Sequence, residues 1–122
     1  MIADLRDKVN SDGGLVRRGR FLSTVFLLEH GTTQWLISVL DGRITSVVRG
    51  PFVMSTWSFA LRASEQEWSQ FWSADPKPGH HDLMALVKRR ALKIEGDVPE
   101  FMRNLRYFKE ALVKLRAGGA QP

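Results

Sequence analysis

His80-His81-Asp82 places three side chains of metal-ligating type in a row. Neighbouring residues on a helix point about 100° apart and rarely share one ion, and histidines at i and i+4 are the stronger pattern. The third histidine, His30, falls in a hairpin region near the start of the chain. No metal centre is expected, and the triplet reads as a solvated helix start or as a polar contact at a cavity mouth. Covalent catalysis finds no better footing. A serine nucleophile needs a base within hydrogen-bond reach, and no serine here lies in a nucleophile-elbow pattern. The carboxylates are scattered, most of them at expected caps and turns. The chain has no cysteine, which removes disulfides and thiolate chemistry and ties it to no oxidising compartment. We expect no enzymatic activity and no cofactor.

A second candidate for chemistry is the stretch LKIEGDVPEFMRNLRYF, Leu92 to Phe108, where a short strand meets a helix at Gly96-Asp97. Helix N-termini attract anions. Here Asp97 and Glu100 already occupy the positive end of the dipole, and one glycine is too few for a phosphate cradle. Asp97 reads instead as an N-cap, Pro99 as a first-turn residue whose missing N–H does no harm, and Gly96 as the tight bend.

The elements that must position these residues follow from periodicity. A short helix is expected over residues 2–10 through Ile2, Leu5 and Val9, broken from Ser11 to Gly14. Residues 21–29, 34–40, 43–48 and 56–63 read as strands. They are separated by His30-Gly31-Thr32, by the hairpin signal Asp41-Gly42, and by Arg49-Gly50-Pro51. Short connections suggest an antiparallel meander. Ser64-Glu65-Gln66-Glu67 has capping-box spacing and opens a helix whose Trp68, Phe71 and Trp72 share a face. Asp75-Pro76-Lys77-Pro78-Gly79 ends it. A helix over 81–90, a strand over 91–96 and a helix from about 98 to 116 complete the order, with Gly118-Gly119 as the stop. The expected fold class is α+β: a five-stranded, mainly antiparallel sheet with helices over one face.

Bulk properties set the frame. One domain fits 122 residues. The opening MIADLRDKVN mixes charge signs and is not a signal peptide. No segment approaches the roughly 20 apolar residues of a membrane span, so a soluble, cytoplasmic protein is expected. The net charge is +5, and all of the excess sits in residues 88–122, where nine Lys/Arg face four acids. Arg103, Arg106, Lys109, Lys114 and Arg116 could meet an anionic membrane, an acidic partner or nucleic acid, or simply form a solvated face. Charge alone supports nucleic acid, since no reading motif accompanies it.

The apolar pattern is more informative. Strand one is apolar on both faces, with Phe21, Val25 and Leu27 opposite Leu22, Phe26 and Leu28. Strand two sets Trp35, Ile37 and Val39 against Leu36 and Leu40. Either both sheet faces are covered or one faces a cavity. Phe101, Leu105, Phe108, Leu112 and Leu115 form a stripe along the last helix, which could pack on the sheet, roof a cavity or lie in a membrane interface.

The order of elements resembles the sterol-carrier-protein, or sterol-transfer, domain family over about residues 15–115, in the manner of its bacterial single-domain members. Two stretches carry the likeness: FALRASEQEWSQFW at 59–72 and DLMALVKRRALKIEGD at 82–97. The resemblance implies an apolar tunnel between sheet and helices, and non-covalent binding of a sterol, fatty acyl chain, phospholipid or isoprenoid quinone. It also implies, by analogy with bacterial relatives, an accessory role beside a partner enzyme. The lining it implies is Phe26, Trp35, Trp57, Trp68, Phe71, Trp72, Leu83, Met84, Leu86, Phe101, Leu105 and Phe108. His80-His81-Asp82 departs from the commoner family pattern, as does the bulk of Trp57 and Trp72, and both would reshape such a cavity. The alternative is an interaction module without its own ligand, whose last helix and basic flank dock on a partner.

Overall fold

The structure is a computed structural model and describes residues 2–52 and 56–116. After a 3-10 turn at Ile2–Asp4 come helices α1 (Leu5–Asn10) and α2 (Gly13–Arg18) and strands β1 (Thr24–His30), β2 (Thr33–Leu40), β3 (Arg43–Arg49) and β4 (Phe59–Ala63). Helices α3 (Glu65–Phe71) and α4 (Leu83–Lys88), strand β5 (Lys93–Gly96) and helices α5 (Val98–Arg103) and α6 (Leu105–Val113) follow. The class is α+β, as expected.

The sheet is open and five-stranded, in the order β3-β2-β1-β4-β5. Its first three strands form the expected hairpins. Asp41 and Gly42 both take positive φ, +52° and +82°, the geometry that matches strand twist in a two-residue turn. The meander does not continue. Strand β4 crosses back and pairs parallel with β1, Phe26 opposite Phe59 and Leu28 opposite Leu61, and β5 pairs antiparallel outside it. That puts β1, which is apolar on both faces, at the centre of the sheet, where both of its faces are covered. Three of the four pairings are antiparallel.

Three helix expectations also change. The break predicted at 11–14 is only a corner: Asp12 caps a second helix, its side chain accepting from the Leu15 N–H at 3.1 Å. The helix predicted over 98–116 divides at Asn104, which leaves helical geometry (φ −114°, ψ 23°) and whose Nδ2 donates to the Glu100 carbonyl at 3.0 Å. The Gly118-Gly119 stop lies outside the described residues. The capping box at Ser64 is half formed. Ser64 Oγ accepts from the Glu67 N–H at 3.2 Å, while the Glu67 carboxylate meets Arg89 at 2.6 Å and His80 at 3.1 Å.

One face of the sheet packs on the helices. Phe26, Leu28, Ile37, Val39, Phe59 and Leu61 join Leu5, Leu15, Trp68, Phe71, Leu83, Phe101, Phe108 and Leu112 in a continuous apolar cluster. Each such side chain removed from water contributes roughly 1.5–3 kcal/mol. The opposite face carries Leu27 and Ala60, both buried, and an ionic row in which Arg62 lies 2.7 Å from Glu29 and 2.5 Å from Glu95. Both faces of the sheet's centre are therefore covered.

Candidate functional site

The layer between sheet and helices is built from aromatic rings. Phe26 stacks on Phe59 at 5.2 Å between centroids, and Phe108 meets both edge-on at 5.4 and 5.1 Å. Phe101 closes the group against Phe59 and Phe108. A second group forms on α3, where the spacing of Trp68, Phe71 and Trp72 puts the rings together; the two indoles stack at 5.0 Å. Each indole N–H finds a backbone carbonyl at 2.9 Å, Trp68 on Glu29 and Trp72 on Leu112. The tryptophans thus join α3 to β1 and to α6. Among the described residues no charged side chain is buried, and the polar atoms of the buried Trp68, Trp72 and Tyr107 are spent on backbone carbonyls, so this interior offers a guest apolar contacts and little else.

Of the residues named from the sequence, Phe26, Trp68, Phe71, Trp72, Leu83, Leu86, Phe101 and Phe108 are buried in this layer. Trp35 and Leu105 pack against it while partly exposed, and Met84 is half-buried. Trp57 stands apart. Its ring touches the β5 side of the sheet at Gly96 and lies 5.8 Å beneath the Arg62 guanidinium, on the face away from the helices. Strand alternation broke down there because β4 begins only at Phe59, so Trp57 does not follow the pleat.

The five basic residues divide. Lys114 pairs with Asp12 at 2.6 Å, which holds the Asp12 carboxyl below the usual carboxylate range, and Lys109 pairs with Asp82 at 3.0 Å. Arg116 donates to the carbonyls of Phe71 and His81 and lies over the Phe71 ring; desolvation there lowers its pKa from the ordinary arginine value. Those three bind the last helix to the body. Arg103 and Arg106 remain at the surface, Arg106 beside Glu110 at 3.2 Å. Among the described residues no helix is long and apolar enough to cross a membrane.

The histidines are dispersed. His80 faces Glu67 and Arg89, whereas His30 stacks on Trp72 at 5.9 Å. Among the described residues no three His, Asp or Glu side chains gather where they could hold a metal ion.

Sequence reasoning missed two residues at the joints of the layer. Glu100 Oε1 accepts from Thr24 Oγ1 at 2.6 Å and from Ser58 Oγ at 2.7 Å, tying α5 to β1 and to the entry of β4. Asp97 caps the same helix, accepting from the Glu100 N–H at 3.0 Å. Tyr107 is buried beside Gly19, and its hydroxyl donates to the Gly42 carbonyl at 2.7 Å. Its place on α6 next to Phe108 was the only signal for it.

An open mixed sheet of this order, helices on one side and an all-apolar layer between, defines the class of fold. Comparison with solved structures identifies it as the sterol carrier protein fold. The crystal structure of sterol carrier protein 2 superposes with a TM-score of 0.77 at 10% identity, over 95% of this chain and 93% of that one. A solution structure from Thermus thermophilus, described as a candidate sterol carrier protein, gives 0.75 at 11% identity over 99% and 87%. A ubiquinone synthesis protein with this domain, UbiJ-SCP2, gives 0.60 at 16% identity over 89% and 82%. No family model and no curated protein sequence matches the chain.

Proposed function

We propose that the chain is a non-enzymatic carrier that binds an apolar molecule in the layer between its sheet and its helices, acting as one soluble cytoplasmic domain. The observation that carries this reading is the continuous apolar and aromatic layer between sheet and helices, with no charged side chain buried among the described residues, in a fold shared with sterol carrier protein 2. Hydrocarbon burial supplies the affinity, at about 25 cal/mol per Å2 of apolar surface removed from water. Trp68, Phe71, Trp72, Leu83, Leu86, Phe101 and Phe108, with Phe26 beneath, are the lining, with the partly exposed Trp35 and Leu105 packed at its margin and Met84 half-buried on α4. Trp57 takes no part in it. Because the rings touch one another, a guest enters by parting α6 from α3 at the Trp72–Leu112 hydrogen bond.

A second reading has its own support. The tight ring contacts and the likeness to UbiJ-SCP2, described as a ubiquinone synthesis protein, suit an accessory module that docks on a partner enzyme and carries no ligand. Native mass spectrometry of freshly purified protein, followed by organic extraction, separates the two. A co-purifying lipid or quinone supports the carrier and names its ligand class. Protein that is empty and ignores a panel of fluorescent fatty acids and sterols supports the module.

A further inference from the structure

A recess of about 210 Å3 opens where α2 meets the α5–α6 joint, framed by Arg18, Arg103, Asn104, Arg106 and Tyr107. Its position follows from the chain break at Asn104. Arg103 ends α5 and Arg106 lies in the first turn of α6, so a straight helix would carry them along one continuous surface, whereas the joint sets them around a hollow. Arg18 arrives from the last turn of α2. The Tyr107 hydroxyl is committed to the Gly42 carbonyl, so the ring serves as a wall.

The charge in this recess is unbalanced. Glu110 is the carboxylate that meets it, accepting from Arg18 and, at 3.2 Å, from Arg106. Guanidinium groups do not deprotonate. Three of them against one carboxylate leave two positive charges facing a small space. Glu110 also restrains two of the three side chains, which reduces the entropy lost when an anion arrives.

We infer that this recess binds a terminal phosphate group, held by Arg18, Arg103 and Arg106. A guanidinium fork matches phosphate oxygens bidentately. A phosphate monoester carries about −1.5 to −2 at pH 7 and has three terminal oxygens, which matches the two uncompensated charges and the three forks. A carboxylate has one charge and two oxygens and leaves a guanidinium unmatched. The volume falls below the roughly 300–1,000 Å3 of sites that enclose a whole drug-sized ligand, so the recess takes a group while the remainder of the molecule stays outside. The phosphate sits at the end of a soluble metabolite or on a lipid headgroup. Neither case requires the apolar interior to open, so this site stands or falls apart from the carrier function.

The test is an amide NMR titration of the full chain with glycerol 3-phosphate at constant ionic strength, joined to co-sedimentation with neutral phosphatidylcholine vesicles with and without phosphatidic acid. Expected are saturable shifts centred on residues 18 and 103–107, and binding weakened roughly tenfold or more in Arg103→Gln. Arg18→Gln should weaken it likewise, while Lys93→Gln, on β5, leaves it unchanged. Each variant's remaining spectrum reports that it is folded. Saturable binding of the soluble ester places the phosphate on a metabolite; selective sedimentation with phosphatidic acid, lost in Arg103→Gln, places it on a lipid. Either result sustains the site. No saturable response in either arm overturns it, as do losses equal in Lys93→Gln and Arg103→Gln, or binding of a single-stranded oligonucleotide without binding of either phosphate monoester.

Discussion

Asn10 pairs with Ile44 as a neighbouring strand would: its Nδ2 donates to the Ile44 carbonyl at 2.9 Å, and its Oδ1 accepts from the Ile44 N–H at 2.8 Å. Ile44 belongs to β3, an edge of the sheet, and an open edge is a template for unwanted pairing. One primary amide supplies the donor and acceptor that the edge lacks. Asn10→Ala is expected to lower stability by about 1–2 kcal/mol and to promote self-association. Urea denaturation and sedimentation velocity check this; an unchanged midpoint would show that the amide is dispensable.

Trp72 holds the last helix. Phenylalanine at this position keeps most of the ring packing and loses the hydrogen bond to the Leu112 carbonyl. That carbonyl also accepts from the Leu115 N–H at 3.2 Å, so it keeps one partner. Trp72→Phe should therefore cost about 1–2 kcal/mol rather than the full penalty of an orphaned group. Hydrogen exchange would localise the effect: the amides of α6 should lose protection before those of β1.

Gly96 and Gly13 make a contrasting pair. At Gly96, φ is +89° and an added Cβ would stand 2.5 Å from the Ser58 carbonyl oxygen. Gly96→Ala should cost more than about 2 kcal/mol, through backbone strain and displacement of that carbonyl. At Gly13, in the first turn of α2, a Cβ meets nothing within 4 Å. Gly13→Ala should be neutral or stabilise by up to about 1 kcal/mol. Thermal melts of both variants test the difference, and similar melting points would refute the strain argument.

Tyr107 predicts an alkaline transition. Burial raises its pKa from 10.0 to about 12. A group whose folded pKa is raised contributes stability that is complete below its unfolded value and is lost as pH climbs through the folded one. Stability should accordingly decline between about pH 10 and 12, by up to about 3 kcal/mol. In Tyr107→Phe that contribution to the slope should vanish. Denaturation midpoints across this range provide the measurement, and a slope identical in the two proteins would assign it to other groups.

Much of this arrangement was legible in the residues. Both hairpins, the Asp97 cap and the Ser64 oxygen at the head of α3 come from local turn and cap chemistry, which acts within a few residues. The helical spacing of Trp68, Phe71 and Trp72 marked a shared buried face, and the doubly apolar β1 implied cover on both sides. Strand order was not legible. Apolar alternation shows which side of β4 is buried, but it does not choose between β3 and β1 as its neighbour. The same gap displaced Trp57, read as if β4 extended back to it. Glu100 looked like a helix-start residue because its hydroxyl partners, Thr24 and Ser58, are distant in sequence. Arg18 carried no signal, since it meets Arg103 and Arg106 only after α2 folds against the last helix.

The parallel pairing of β1 with β4 bears on how the chain leaves the ribosome. The β1–β2–β3 ladder is local and can form early, but one edge of β1 waits for residues 59–63. Asp12 waits longer, since its partner Lys114 is 102 residues away. Until α6 emerges, the rings of Phe26 and Phe59 lack their cover by Phe108, and the nascent chain presents an apolar sheet face to water or to whatever shields it. Completion of this layer is deferred to α6, so a chain truncated before Leu105 would display that sticky face throughout its life.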